Sequence, residues 1–167
     1  MTLVEKILDR RSIRRYKSTA ISPEVVQTIL EAGRQAPSAA NRQPFRIIVV
    51  TDSHLKHALA NRVFSRFIND APMTLVGCAN TNAILTGKWA IIDTVIALQN
   101  MVIAAWSMGV GSCWIGAFKE STVRQHLQIP KKWKVVALVS MGYPDEQSKP
   151  RKKKAITQLI NYNAFET

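Results

Sequence analysis

Apolar and polar positions along this chain fall in blocks whose spacing switches between that of a helix and that of a strand. After Ser22-Pro23-Glu24, Val25, Val26, Ile29 and Leu30 recur as one helix face. Ser22 is a hydroxyl N-cap, Pro23 suits the first turn, and Glu24 lies near the positive end of the helix dipole. The spacing therefore predicts a helix that ends before Pro37. Val4 to Arg10 reads as a shorter helix, Leu55 to Val63 as another, and Thr122 to Leu127 as a small one closed by Pro130. Unbroken apolar runs predict buried strands at Arg46 to Thr51, Pro72 to Ala79 and Lys134 to Met141, the last ended by Gly142-Tyr143-Pro144. Ser112 to Ile115 is a short strand, and Pro150 to Asn163 is basic and then amphipathic. The elements intermix without a regular βαβ rhythm, which predicts an α+β fold in a single domain over 1–167.

One run is different. Ala90 to Ala105, within a helix predicted from about Trp89 to Met108, is apolar nearly all round. A spanning helix needs about 20 apolar residues. Here Asp93, Gln99 and Asn100 interrupt the run and Met108-Gly109 ends it, so the buried spine of a domain or of a dimer is expected, not a membrane span.

Composition narrows the setting. A chain of 167 residues can bury a real core. Its 23 lysines and arginines against 11 acids give a formal charge of +12, which favours a polyanion, a small phosphorylated ligand or an acidic partner surface. Two cysteines, Cys78 and Cys113, form no CxxC pair and suit a reducing compartment. The first residues lack the shape of a signal peptide, so a cytoplasmic protein is expected.

Several groups of residues could carry chemistry. Ala36-Pro37-Ser38-Ala39-Ala40-Asn41-Arg42-Gln43-Pro44-Phe45 joins a helix to a strand through small and amide-bearing residues, as a flat, polar-edged heterocycle requires. Arg10, Ser12 and Arg14, if extended, share one side and offer two guanidinium forks with a hydroxyl between them. Taken alone, such a cluster is more often a solvated basic turn. The run Lys149 to Lys154 is by itself a solvated tail. Gly109-Val110-Gly111 follows a helix and opens a strand, the reverse of a dinucleotide-binding glycine motif. His54 and His57 lack a third ligand and read as surface residues, His126 stands alone, and no metal site is expected. Cys113 has no histidine in a cysteine-protease context and reads as a buried thiol.

Arg10-Arg11-Ser12-Ile13-Arg14-Arg15-Tyr16, the 36–45 segment, Asp93 to Asn100, Gly111-Ser112-Cys113-Trp114-Ile115-Gly116 and the Gly142-Tyr143-Pro144 strand end occur in an order that resembles the nitroreductase family over about Val4 to Phe165. The resemblance implies a central, mostly antiparallel sheet flanked by helices in an intertwined homodimer with two FMN sites at the interface. It implies that Arg10, Arg11, Ser12 and Arg14 bind FMN from one subunit, and Pro37, Ser38, Ala39, Asn41 and Gln43 from the other. Trp114, Ile115, Gly116 and Ala117 would run beside the isoalloxazine near N5, acting sterically and through backbone donors. Lys149 and Arg151 match a Lys-x-Arg pair that closes on the phosphate. Ser65 is the nearest match for a contact to the pyrimidine end. Between Asn80 and Lys88 there is no room for the extra helices that cover the substrate in longer relatives.

The implied activity is an FMN-dependent oxidoreductase. NADH or NADPH delivers hydride to flavin N5. A nitro compound, quinone or similar electron-poor small molecule then takes the electrons at the same face, in ping-pong order. No catalytic acid or base is named. Two rivals stand beside it. Specialised flavin chemistry, such as reductive dehalogenation or flavin fragmentation, needs a dedicated lid. A nucleic-acid-binding module needs aromatic residues among the basic ones, whereas only Tyr16 adjoins the first cluster and none lies in the second. No nucleic-acid partner is expected.

Overall fold

A computed structural model describes residues 2–61 and 63–165. In chain order the elements are α1 (Leu3–Asp9), α2 (Pro23–Arg34), β1 (Phe45–Val50), α3 (Ser53–Leu59), β2 (Met73–Asn80), α4 (Ala90–Ser107), β3 (Gly111–Ile115), α5 (Glu120–His126) and β4 (Trp133–Gly142). The four strands form one sheet in the order β1-β2-β4-β3, and every neighbouring pair is antiparallel. The expected α+β architecture is what the chain adopts.

Both faces of the sheet are covered, which is why its strands read as unbroken apolar runs. On one face Met73 and Leu75 of β2, with Ala137, Val139 and Met141 of β4, pack on α2 and α4. On the other, Val76, Cys78, Val135 and Leu138 pack with Leu59 of α3 and Val123 of α5. Val135 and Ala137 point to opposite faces although they are two apart. A bulge opposite Gly77/Cys78 inserts one extra residue in β4 and reverses the alternation there.

The apolar helix is a core helix. Stretch 87–107 is long and apolar enough to cross a membrane, but Ala97, Leu98, Met101, Val102 and Ala105 are buried against α2 and the sheet. It approaches both closely. A Cβ on Gly77 would lie 2.6 Å from Leu98 Cδ1, and one on Gly33 would lie 2.0 Å from Met101 Cε.

Three helix limits differ by two residues or more from expectation, and the first is the start of α3, two residues early at Ser53, where Asp52 caps it. α3 stops at Leu59 because Ala60 turns to extended backbone (ψ 125°), and Arg62, which the sequence reading places in that helix, lies outside the described residues. α5 begins two residues early, at Glu120, whose carboxylate accepts hydrogen bonds from Arg124 and from the Val135 N–H of β4. The single-domain expectation over 1–167 likewise includes Met1, Glu166 and Thr167, which are outside the described residues. From Arg151 to Phe165 every residue is exposed, including Ile156, Leu159, Tyr162 and Phe165.

Candidate functional site

The 12–16 segment is an extended strip laid along the free edge of β3. Ser12 pairs in parallel with Ser112, and the Ile13 N–H donates to the Ser112 carbonyl at 2.9 Å. Ile13 is buried, so its neighbours Ser12 and Arg14 face away from the core, as alternation requires. Gly111 permits the approach, since a Cβ there would sit 2.6 Å from Ile13 Cγ1. Tyr16 closes the strip. Its hydroxyl donates to the Ile13 carbonyl at 2.5 Å and lies 2.7 Å from Ser140 Oγ. Burial pushes this phenol well above its ordinary pKa, with the Ser140 hydrogen bond opposing.

Residues 143–148 hold the strip from the other side. The Lys17 N–H donates to the Tyr143 carbonyl and the Asp145 N–H to the Arg15 carbonyl. Glu146 Oε1 accepts from the Arg14 N–H at 2.6 Å and the Arg15 N–H at 3.2 Å. Sequence reasoning missed Glu146. The signal available was an acid just beyond the Gly-Tyr-Pro strand end, in a chain otherwise rich in cations.

Where the two segments meet they form a cavity of about 510 Å³ lined by Arg10, Arg11, Ser12, Arg14, Ser148, Lys149, Arg151 and Lys153, with Ile7 and Leu8 from α1. Its lining includes no carboxylate among the described residues. The structure thus brings together residues that sequence reading takes from opposite ends of the chain, and adds Ser148 and Lys153. Arg11 is already engaged, donating to the Leu8 and Arg10 carbonyls and lying 3.5 Å from Asp9. Arg10 differs: its Nη1 is buried and has no hydrogen-bond acceptor among the described residues. A shielded guanidinium N–H without an acceptor, in a cavity ringed by cations, fits a phosphate dianion. Ser12 beside it suits a polyol hydroxyl.

The 36–44 loop stands apart from that cavity. Its core is a short 3-10 turn, Ala39–Asn41. Ala40 (φ 49°), Asn41 (φ 54°) and Gln43 (φ 48°) all adopt left-handed backbone. Asn tolerates that region; for Ala and Gln it costs about 1–3 kcal/mol each, so the surroundings must impose it. The ties are visible. Ser38 Oγ accepts from the Gln43 N–H at 3.0 Å, Gln43 Nε2 donates to the Asn41 carbonyl at 2.7 Å, and the Ala39 N–H donates to both carboxylate oxygens of Asp93, each at 3.2 Å. Asn41 and Gln43 are exposed, as is Pro37, whereas Ser38 and Ala39 are half-buried.

The remaining residues lie at the end of β3. Trp114 is half-buried and its Nε1 donates to Gln99 of α4 at 3.2 Å. Ile115 is in the core; Gly116 and Ala117 emerge into the open beyond it. Cys113 is buried, and burial raises its thiol pKa against the opposing pull of Arg14 and Arg10. Ser65 is fully buried and its Oγ accepts the Asn61 N–H at 2.8 Å, so its hydroxyl closes a turn away from the basic cavity.

Comparison with known proteins finds relatives in sequence and in overall structure. A family model described as "Nitroreductase family" matches residues 7–86 and 65–143. A Thermus thermophilus protein named NADH dehydrogenase is 29% identical, with 92% of each chain covered. A nitroreductase family protein from Clostridium novyi NT superposes with a TM-score of 0.81 at 33% identity, covering 87% of both chains. The NADPH:FMN oxidoreductase of Vibrio harveyi, solved with NAD+, superposes with a TM-score of 0.89 at 28% identity over 99% of this chain and 78% of its own.

Proposed function

The chain belongs to the nitroreductase family, and from that premise we propose that it is an FMN-dependent oxidoreductase drawing electrons from NADH or NADPH. Its acceptors are nitro compounds, quinones or similar electron-poor small molecules. The observation that carries this reading is the basic cavity, lined in part by Arg10, whose Nη1 is buried with no hydrogen-bond partner among the described residues. When bound, FMN supplies a two-electron carrier that takes hydride from the nicotinamide and passes it on.

The chain's own residues bind and orient. Arg10, Lys149 and Arg151 neutralise the phosphate, and Ser12 meets the ribityl chain. Arg14 extends over Phe67, with the guanidinium carbon 5.9 Å from the ring centroid, and stays available at the cavity edge. The 37–43 loop supplies small residues and amides to a ring, and Trp114 to Ala117 supply backbone beside it. Arg11 lines the same cavity while its Nη1 donates to the Leu8 and Arg10 carbonyls, and Ser65 is buried with its Oγ accepting the Asn61 N–H.

The cavity and the loop belong to different subunits of a homodimer in this reading. Support comes from the loop's absence from the cavity lining and from the exposed apolar residues of α1 and of 156–165, which have no cover within one chain. A cytoplasmic enzyme acting on small diffusible acceptors is the corresponding setting.

Denaturing the purified protein and identifying the released cofactor by chromatography tests the reading. FMN at one per chain is expected; FAD, or a colourless protein that FMN does not reconstitute, overturns it. Parallel double-reciprocal plots at several acceptor concentrations are expected for a face shared by donor and acceptor; intersecting lines indicate a separate acceptor pocket.

A further inference from the structure

Asp93 is the one charged residue of α4, and it is buried. A buried carboxylate is costly unless it is hydrogen-bonded or compensated by charge. The partner visible here is a backbone group of another segment: the Ala39 N–H, 3.2 Å from both oxygens. The first turn of α4 adds the favourable end of a helix dipole. The tie falls at the first residue of the Ala39–Asn41 turn, immediately before the left-handed residues Ala40, Asn41 and Gln43. Cross-links inside the loop, from Ser38 to Gln43 and from Gln43 to Asn41, fix its internal shape but attach it to nothing else. Asp93 joins it to the central helix of the fold.

We propose that Asp93 is a positioning residue of the candidate site, whose buried carboxylate clamps the 38–43 turn to α4 and so sets where Asn41 and Gln43 stand relative to the cofactor. The inference rests on the reading that this loop contacts FMN. Gln99, six residues further along α4, accepts a hydrogen bond from the Trp114 indole of β3. One helix thereby carries the anchors of both segments assigned to the ring.

The test uses the full-length protein in three forms: wild type, Asp93→Ala and Asp93→Asn. Amide hydrogen exchange is followed at Ala39 in protein stripped of cofactor, and FMN affinity is measured by quenching of its fluorescence. Asp93→Ala is expected to lose at least tenfold in Ala39 protection and at least tenfold in FMN affinity. Asp93→Asn keeps a carbonyl oxygen for the Ala39 N–H and is expected to recover most of both. Unchanged Ala39 protection in Asp93→Ala overturns the proposal. So does a variant that loses Ala39 protection yet keeps wild-type FMN affinity, because the clamp would then not set where Asn41 and Gln43 stand relative to the cofactor.

If Asp93→Ala does not fold, Ala39→Pro removes the donor and leaves the acid in place. Ser38 already has the extended backbone that a following proline requires (φ −142°, ψ 157°). Undiminished FMN affinity in Ala39→Pro overturns the proposal. A wild-type chain that binds no FMN overturns the functional reading instead, and Ala39 exchange still decides whether Asp93 holds the turn.

Discussion

Ile13 packs so closely over Gly111 that a Cβ on the glycine would lie 2.6 Å from Ile13 Cγ1. The contact joins the basic strip to the sheet edge. Any side chain at 111 must push the strip outward, and Arg10, Ser12 and Arg14 go with it. Gly111→Ala is expected to destabilise the fold by about 1–3 kcal/mol, the usual cost of overpacking. It also weakens FMN binding, although residue 111 lines no part of the cavity. Thermal midpoints and FMN titration of the variant check both effects, and a variant with normal FMN affinity refutes the coupling.

Arg10→Ala tests the phosphate assignment. A hydrogen bond to a charged group is worth about 1.5–3 kcal/mol, so FMN affinity falls roughly tenfold to 150-fold. Riboflavin, which lacks the phosphate, is expected to bind wild type and variant alike. Equal losses for FMN and riboflavin would move Arg10 away from the phosphate.

Tyr16 links the strip to Ser140 of β4. Tyr16→Phe leaves the Ile13 carbonyl without this donor and costs about 1–2 kcal/mol. The phenol also gives a pH dependence. Its folded pKa lies above the ordinary value of 10.0, so the folded state favours the protonated form. That stability is complete below pH 10 and is lost as pH rises from there towards the raised value. Cys78, pushed by burial from 9.0 to about 11, adds a loss of the same sign that begins near pH 9. Urea midpoints at pH 8 and pH 10.5 are expected to differ less in Tyr16→Phe than in wild type. An identical difference would remove Tyr16 from the alkaline transition.

Arg10→Glu and Asn41→Asp probe the two-subunit site. Each homodimer is expected to bind little FMN. After subunit exchange, a mixed dimer places both substitutions in one site and leaves the other unaltered, so up to half of the sites in that dimer regain flavin. Confirmed exchange with no recovery of flavin would place the whole site within one chain.

Much of this architecture is legible in residue order because the responsible forces are local. The Ser22-Pro23-Glu24 start forms its N-cap, with Ser22 Oγ accepting the Val25 N–H. The strands are mostly apolar because helices cover both sheet faces. The cavity needs more than local patterning, since Arg10 and Lys149 meet only after folding; the order of motifs points to it where charge alone does not. The illegible parts depend on distant partners. Asp93 and Gln99 read merely as interruptions of an apolar run, because nothing local shows that Ala39 and Trp114 will come to meet them. Glu146 is hidden for the same reason, since its partners are backbone groups of Arg14 and Arg15. The bulge in β4 has no compositional mark at all.

The bond between Glu146 and the Arg14 N–H spans 132 residues of chain. Contacts of such separation carry a large loop-closure cost and tend to form late. During synthesis the basic strip emerges from the ribosome long before the segment that completes its cavity, and β3, whose edge it covers, emerges between the two. Until then the strip is an open run of cations beside an unpaired strand edge. On the proposed reading, cofactor capture waits for the segment that follows the last strand, and an interrupted chain lacking residues 143–151 is expected to bind FMN more weakly.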